Sequence, residues 1–232
     1  MNVPETFNTN GRPRTPRQVV PWRDVAETCR TLDAVCSMIP AQRPPLRIVD
    51  GIARSGFWGA VFRERWPTCR LVLNEEDAGC RDILQSNFPR DTVLSHDIHE
   101  WAPAPCDLIL LDFDHFTLRI LDQWRGVLER YAPLCRYFII ADGACFGWKF
   151  GNLKHYGLTD ENEYFRLLDR TMSAFIDKRI TAVSQFCNAS TILLESKTVH
   201  DITFLPPSML PLRRGTKAYG EKKTVASWGL GI

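Results

Sequence analysis

Three ionisable side chains, Asp112, Asp114 and His115, directly follow an apolar run in the segment LILLDFDHF. Carboxylate oxygens with no cysteine nearby suit a hard divalent cation such as Mg²⁺ or Mn²⁺. The unperturbed pKa of histidine, about 6.5, makes His115 a candidate general base beside two candidate catalytic acids. A hydrated, capped turn is the alternative interpretation. Other residues of the site must therefore decide whether this segment does chemistry.

Further acids follow other predicted strands. Glu75 comes after the second strand, where a carboxylate can accept both hydroxyls of a bound ribose. Asp97 follows the third strand, at a position from which an adenine amino group could be read. Asp142 follows the fifth strand, so that it would meet Asp112 if the two strands are neighbours. We therefore interpret Asp112 and Asp142 as the ligands of a metal site.

A glycine-containing loop follows the first predicted strand in the segment VDGIARSGFWG. Glycines between a strand and a helix let the backbone approach a ligand closely. The spacing of Gly51, Gly56 and Gly59 differs from the dinucleotide fingerprint G-x-G-x-x-G, which disfavours a nicotinamide or flavin enzyme. A tight turn without a ligand is the simpler alternative.

Strands and helices that would position these residues alternate along the chain. The predicted strands span residues 46–50, 69–73, 92–95, 107–111, 136–141, 180–186 and 191–195. The predicted helices span residues 25–39, 58–66, 77–87, 120–131 and 161–177. This order predicts an α/β fold, a Rossmann-like doubly wound and mostly parallel sheet. The last two strands are joined by only four residues, which predicts a C-terminal antiparallel hairpin.

The chain divides into a basic N-terminal arm and helix (residues 1–45), a central domain (46–196) and a basic C-terminal tail (197–232). Residues 1–47 carry seven Lys and Arg against four Asp and Glu, and residues 196–232 carry six against two. Such ends could contact the phosphates of a nucleic acid, or could be solvated tails.

Composition narrows the class of protein. The eight cysteines are scattered, which disfavours a disulfide framework and favours a reducing compartment, so we predict a cytoplasmic protein. No apolar run approaches the roughly 20 residues that a membrane helix needs, and we expect no membrane partner. The first residues also lack the apolar core of a secretory signal peptide.

The segments VDGIARSGFWG and LNE, together with the strand plan and the closing hairpin, resemble class I S-adenosylmethionine-dependent methyltransferases over about residues 46–195. The resemblance implies S-adenosylmethionine as the cofactor. Ile52 and Arg54 stand where two glycines of the family pattern D-x-G-x-G-x-G would lie. The cofactor contacts that the resemblance implies are Asp50, Gly51, Ser55, Gly56, Glu75 and Asp97.

Two kinds of methyltransferase compete for the acceptor. The segment from LLDFDHF to IIADG is similar to metal-dependent O-methyltransferases, whose metal pattern Asp112, His115 and Asp142 match. Ala141 and Gly143 stand where a second ligand of that pattern would lie. The cofactor half resembles base-methylating tRNA enzymes, yet the Asp/Asn-Pro-Pro-aromatic signature of many amine-methylating enzymes is absent. We therefore favour a hydroxyl acceptor, with a nucleic-acid base methyltransferase or a non-catalytic binding or assembly protein as alternatives.

The loop ACFGWKFGNLKHYG lies beyond the fifth strand and would shape the acceptor pocket. The rings of Trp148 and Tyr156 could stack on an acceptor, and Lys149 and Lys154 could meet phosphate. This combination predicts a small-molecule or nucleotide acceptor. Packing of the loop onto the domain is an equally good explanation for the aromatic residues.

Overall fold

Helices and strands alternate in the computed structural model, which describes residues 22–54, 56–113, 116–142, 153, 155–186, 189–196 and 201–209. The α-helices are α1 (Trp22–Cys36), α2 (Phe57–Arg65), α3 (Ala78–Asn87), α4 (Leu121–Tyr131) and α5 (Glu161–Met172). The strands are β1 (Arg47–Asp50), β2 (Arg70–Asn74), β3 (Thr92–Leu94), β4 (Cys106–Phe113), β5 (Cys135–Asp142), β6 (Lys178–Phe186), β7 (Ala189–Ser196) and β8 (Thr203–Leu205).

The described strands form one sheet in the order β3-β2-β1-β4-β5-β7-β6-β8. Strands β1 to β5 are parallel to one another, and β7 runs antiparallel to both β5 and β6. The predicted α/β fold with a C-terminal antiparallel hairpin is therefore confirmed. Strand order reverses between β1 and β4, and an open α/β sheet binds ligands at the carboxyl ends of the strands at such a point.

Two hydrophobic clusters lie on opposite faces of the sheet. One contains side chains of α1, α2 and α3, including Leu32, Phe62 and Leu84. The other contains side chains of α4 and α5, including Leu128 and Leu168. Because β4 has helices on both faces, its apolar residues alternate between two cores, which explains its near-continuous apolar sequence.

The structure corrects some predicted boundaries. Helix α5 ends at Met172, not at residue 177. Beyond it the N–H groups of Ala174 and Phe175 donate to carbonyls three residues back, so the chain continues as a tighter turn. The short strand β8 was not predicted; it pairs in parallel with the edge of β6.

None of the helices in the described part of the chain combines the length and the apolar character needed to cross a membrane. Six of the eight cysteines fall within the described residues, and all six are free thiols.

Candidate functional site at the β1–β4 switch point

The loop between β1 and α2 is held close to the sheet by its glycines. A Cβ on Gly51 would lie 2.5 Å from Leu111 Cδ2, and one on Gly56 would lie 2.5 Å from Phe88 Cε2. Gly56 also has a φ of 87°, a backbone conformation that favours glycine. In this structure the bare Cα atoms of both predicted cofactor residues therefore face core side chains, which fixes the path of the loop.

Arg54 lies inside this loop and reaches across the cleft to β4. Its Nε lies 2.9 Å from Oδ2 of Asp112, and the arginine side chain is only 11% exposed. The contact is an ion pair by distance, although the Nε–H is not aligned for a hydrogen bond. Trp58 Nε1, from the first turn of α2, donates to the same Asp112 oxygen at 2.8 Å. Asp112, which the sequence predicts to be a catalytic and metal-binding acid, is thus paired with the Arg54 guanidinium and accepts the Trp58 indole N–H.

Glu75 is buried beside the same loop, with 6% of its surface exposed. Its Oε2 accepts the backbone N–H of Arg54 at 2.8 Å, and its Oε1 accepts that of Asp77 at 2.8 Å. Burial raises the pKa of Glu75, and these two N–H groups lower it again in part. The carboxylate therefore lies at the predicted end of β2, with both oxygens already bonded to the chain.

Asn74 ties three loops together at this end of the sheet. Its Nδ2 donates to the carbonyls of Gly51 and His96 at 3.1 and 2.9 Å, and its Oδ1 accepts the His96 N–H at 2.9 Å. Because Asn74 is nearly fully buried, these bonds rigidly link the ends of β1 and β3 to β2.

Asp50 is fully buried at the end of β1. Neither of its carboxylate oxygens makes a hydrogen bond of good geometry to the described residues. Burial and then the charge of Asp112 raise the pKa of Asp50 well above its usual value, while the nearby N–H of Ile52 and the guanidinium of Arg54 lower it less. The structure thus brings three predicted site acids, Asp50, Glu75 and Asp112, together around Arg54.

Other predicted residues lie at the rim or in packing positions. Asp97 is exposed, and its Oδ1 accepts the N–H of His99 at 2.7 Å, so it caps a local turn. Tyr156 is half-buried against the cluster of α4 and α5, and its ring meets that of His155 edge-on. Asp142 ends β5, although its side chain lies outside the described part. The predicted residues that lie outside the described residues are Ser55, Asp114, His115, Trp148, Lys149 and Lys154.

Sequence reasoning missed three residues that build this site: Arg54, Trp58 and Asn74. In the sequence Arg54 is a departure from a glycine pattern, and a long cation in place of glycine is itself a signal that the loop carries its own charge. Trp58 had no signal, because an indole at a helix start is most often a packing residue. Asn74 belongs to the segment LNE, in which only the neighbouring acid Glu75 is predicted to bind the cofactor.

The metal site stays a prediction. Among the described residues, no group of three or more His, Cys, Asp and Glu side chains could hold a metal ion. Asp112 already faces the Arg54 guanidinium, which would repel a cation at the same oxygen. The basic ends, for which the sequence leaves both nucleic-acid contact and solvated tails open, lie mostly outside the described residues.

The sheet order, the reversal between β1 and β4 and the acids at the ends of β1 and β2 define the class of fold: this chain has the fold of class I S-adenosylmethionine-dependent methyltransferases. No protein-family profile and no curated protein sequence matches it.

Among solved structures, the chain is similar to the mitomycin 7-O-methyltransferase MmcR, with 16% identity and a TM-score of 0.51 over 75% of this chain and 54% of that one. It is also similar to the magnesium protoporphyrin IX methyltransferase ChlM from Synechocystis PCC 6803, with 11% identity and a TM-score of 0.54 over 75% and 86% of the two chains. The plantazolicin methyltransferase BpumL gives 11% identity and a TM-score of 0.52 over 75% and 85%. The chain thus spans about half the length of MmcR.

Proposed function

We propose that this chain is an S-adenosylmethionine-dependent methyltransferase that acts on a hydroxyl group. The observation that carries the proposal is Asp50, a fully buried carboxylate at the switch point of the sheet that makes no hydrogen bond of good geometry to the described residues. A buried polar group in this condition is costly to folding. A positively charged ligand bound at the switch point would offset that cost, and S-adenosylmethionine carries both an ammonium and a sulfonium group.

The donor set of the cleft fits the other parts of this cofactor. Glu75 lies at the end of β2, and each of its oxygens keeps a second lone pair that a ribose hydroxyl could use. Asn74 fixes the loops on either side of that carboxylate. When bound, the cofactor supplies an electrophilic methyl group. The chain has to bind and orient the two reactants in line, since positioning provides much of the rate.

A hydroxyl acceptor is favoured by the end of β4. Asp112 is held there by Trp58 and Arg54, and the sequence Phe113-Asp114-His115 follows where amine-methylating enzymes carry a different signature. MmcR is by name a 7-O-methyltransferase, and the similar NcsB1 is an O-methyltransferase (12% identity, TM-score 0.50). In this proposal His115 takes the hydroxyl proton, and Asp112 and Asp142 orient the acceptor or bind an assisting Mg²⁺ or Mn²⁺ ion.

A non-catalytic binding protein is the second candidate. It is favoured by the contacts that already engage the cleft: both oxygens of Glu75 accept backbone N–H groups, and Arg54 pairs with Asp112. A protein with this fold that no longer transfers methyl groups could keep these contacts, because no cofactor would have to replace them.

Isothermal titration calorimetry with S-adenosylmethionine and with its demethylated product separates the two candidates. We expect binding at one site, weakened at least tenfold, about 1.4 kcal/mol, in Asp50→Asn because the cation loses its buried counter-charge. The matched control Asp82→Asn replaces an exposed acid on α3 and should bind like the wild type. Absence of binding to the wild-type chain at millimolar cofactor would favour the non-catalytic protein.

A chelator tests whether a metal ion assists the reaction. Cofactor binding and methyl transfer to a hydroxyl-bearing acceptor would be measured before and after treatment with the chelator. Activity that falls on chelation and returns with Mg²⁺ or Mn²⁺ supports the assisting ion. Activity that a chelator leaves unchanged supports a reaction in which side chains alone orient the hydroxyl.

A further inference from the structure

We infer that the Arg54 guanidinium occupies the position beside Asp112 that a positively charged group of the cofactor would take. The cofactor must therefore displace Arg54 from Asp112 in order to bind. The inference rests on the proposed function, because that function supplies the competing cationic ligand. It concerns a residue that stands where the resembling family has a glycine, so it describes a property of this chain and not of the fold.

The charges of the cleft are the first step. Asp50, Glu75 and Asp112 are three buried acids, and Arg54 interacts electrostatically with each of them. The Arg54 side chain is itself mostly buried, so its charge is weakly screened by solvent. A second cation placed beside Asp50 and Asp112 would repel the guanidinium at short range. Ligand cation and guanidinium therefore compete for the same acids.

The backbone of Arg54 is the second step. Its φ of 51° lies in the left-handed region, which is unfavourable for a residue with a long side chain. Such strain persists only when the surroundings hold it in place. Here two contacts do so, the backbone N–H on Glu75 Oε2 and the side chain on Asp112 Oδ2.

The two contacts lead to the third step. The backbone of Arg54 engages the acid proposed to hold the ribose, and its side chain engages the acid at the end of β4. A movement of this single residue would remove both contacts at once, leaving Glu75 bonded to the Asp77 N–H and Asp112 bonded to the Trp58 indole. Trp58 would report the movement, because its indole N–H donates to the same Asp112 oxygen that Arg54 faces.

Two substitutions remove the Arg54 guanidinium in different ways. Arg54→Gly suits the positive φ and restores the residue type of the family pattern, and Arg54→Asn removes the charge with a residue that tolerates this conformation. Arg54→Lys keeps a cation at the position. Arg125→Ala, which breaks an exposed ion pair with Glu129 on α4, controls for the loss of one positive charge from the whole chain.

The experiment measures S-adenosylmethionine affinity by calorimetry on the full chain, with urea unfolding to confirm that each variant is folded. We expect Arg54→Gly and Arg54→Asn to bind at least tenfold more tightly than the wild type, and Arg54→Lys and Arg125→Ala to bind like it. In ¹⁵N-indole spectra, assigned with Trp58→Phe, cofactor added to the wild type should shift the Trp58 signal towards its position in Arg54→Asn.

The outcomes separate failure of the Arg54 inference from failure of the proposed function. Equal affinity in the wild type, Arg54→Gly and Arg54→Asn overturns this inference and leaves the proposed function standing. Weaker binding by the two variants also overturns it, because Arg54 would then be a cofactor contact. If neither wild type nor variants bind, the proposed function fails and this inference fails with it. Binding by the variants alone supports this inference, while the failure of the wild type to bind counts against the proposed function.

Discussion

One carboxylate at the carboxyl ends of the strands, Asp50, is bonded differently from the carboxylates at the amino ends. At the amino ends of the strands, Asp91, Asp107 and Asp169 each accept hydrogen bonds from backbone N–H groups, and Asp91 and Asp169 also pair with an arginine. At the carboxyl ends, Asp50 is more deeply buried than any of these, yet neither of its oxygens makes a hydrogen bond of good geometry to the described residues.

This difference shows which acids stabilise the fold and which one lowers its stability. An acid that joins two strand ends through backbone N–H groups stabilises the sheet directly. An acid left without such bonds at the switch point destabilises the chain unless a ligand meets it, and unsatisfied polar groups and strained residues concentrate at functional sites. Arg54, with its left-handed backbone, lies at the same end as Asp50.

Removal of a satisfied acid at the amino end should have the largest effect on stability. Both oxygens of Asp91 lie 2.6 Å from Arg63 Nη2, and Oδ1 also accepts the N–H of Leu71. We expect Asp91→Ala to lower the free energy of unfolding by about 3 kcal/mol, because a partly buried arginine and a backbone N–H lose their partner. Urea unfolding measures the change, with the exposed Asp82→Ala expected to cost less than about 0.5 kcal/mol. A loss below about 1 kcal/mol for Asp91→Ala would contradict the comparison.

A loop glycine at the carboxyl end should follow in size. Gly56→Ala places a Cβ 2.5 Å from Phe88 and 2.8 Å from Leu84, at a φ of 87°. Strain and overpacking together should lower the free energy of unfolding by about 2–3 kcal/mol.

Gly126→Ala is the matched control for that substitution. A Cβ on Gly126, which lies within α4, has no atom within 4 Å. Alanine should therefore stabilise the helix by about 0.5–1 kcal/mol. A Gly56→Ala variant that is as stable as the wild type would show that the β1–α2 loop is not held by its contact with Phe88.

The sheet could be predicted from the sequence because apolar runs and turn residues alternate regularly, and β4 in particular has the pattern of a strand covered on both faces. The gathering of Glu75 and Asp112 at one cleft followed from the rule that parallel strands end at the same edge. The pairing of Arg54 with Asp112 could not be predicted, because it joins residues far apart in sequence through one side-chain rotamer in a strained turn. The poor alignment of hydrogen-bond donors to Asp50 likewise depends on fine geometry, since neighbouring residues such as Ile52 do offer N–H groups.

Asp50→Asn should have a smaller effect at neutral pH than Asp91→Ala or Gly56→Ala and should change how stability depends on pH. In the folded chain, burial and Asp112 raise the pKa of Asp50 well above its value of about 3.9 in an unfolded chain. A raised pKa means that the unfolded chain loses this proton at lower pH than the folded chain. The stability contributed by protonated Asp50 is therefore complete below about pH 4 and is lost as pH rises through the folded pKa, by at most about 1.4 kcal/mol per pH unit. Asparagine has no such proton, so the variant should equal or exceed the wild type in stability at pH 7, by about 1 kcal/mol.

Urea unfolding at intervals from pH 4 to pH 8 measures the stability curves of the wild type and of Asp50→Asn. Glu75, whose pKa is also raised by burial, remains in the variant and should leave a residual slope. Parallel curves for Asp50→Asn and the wild type would mean that Asp50 keeps an ordinary pKa, and the contrast between the two ends of the sheet would then lack an energetic basis.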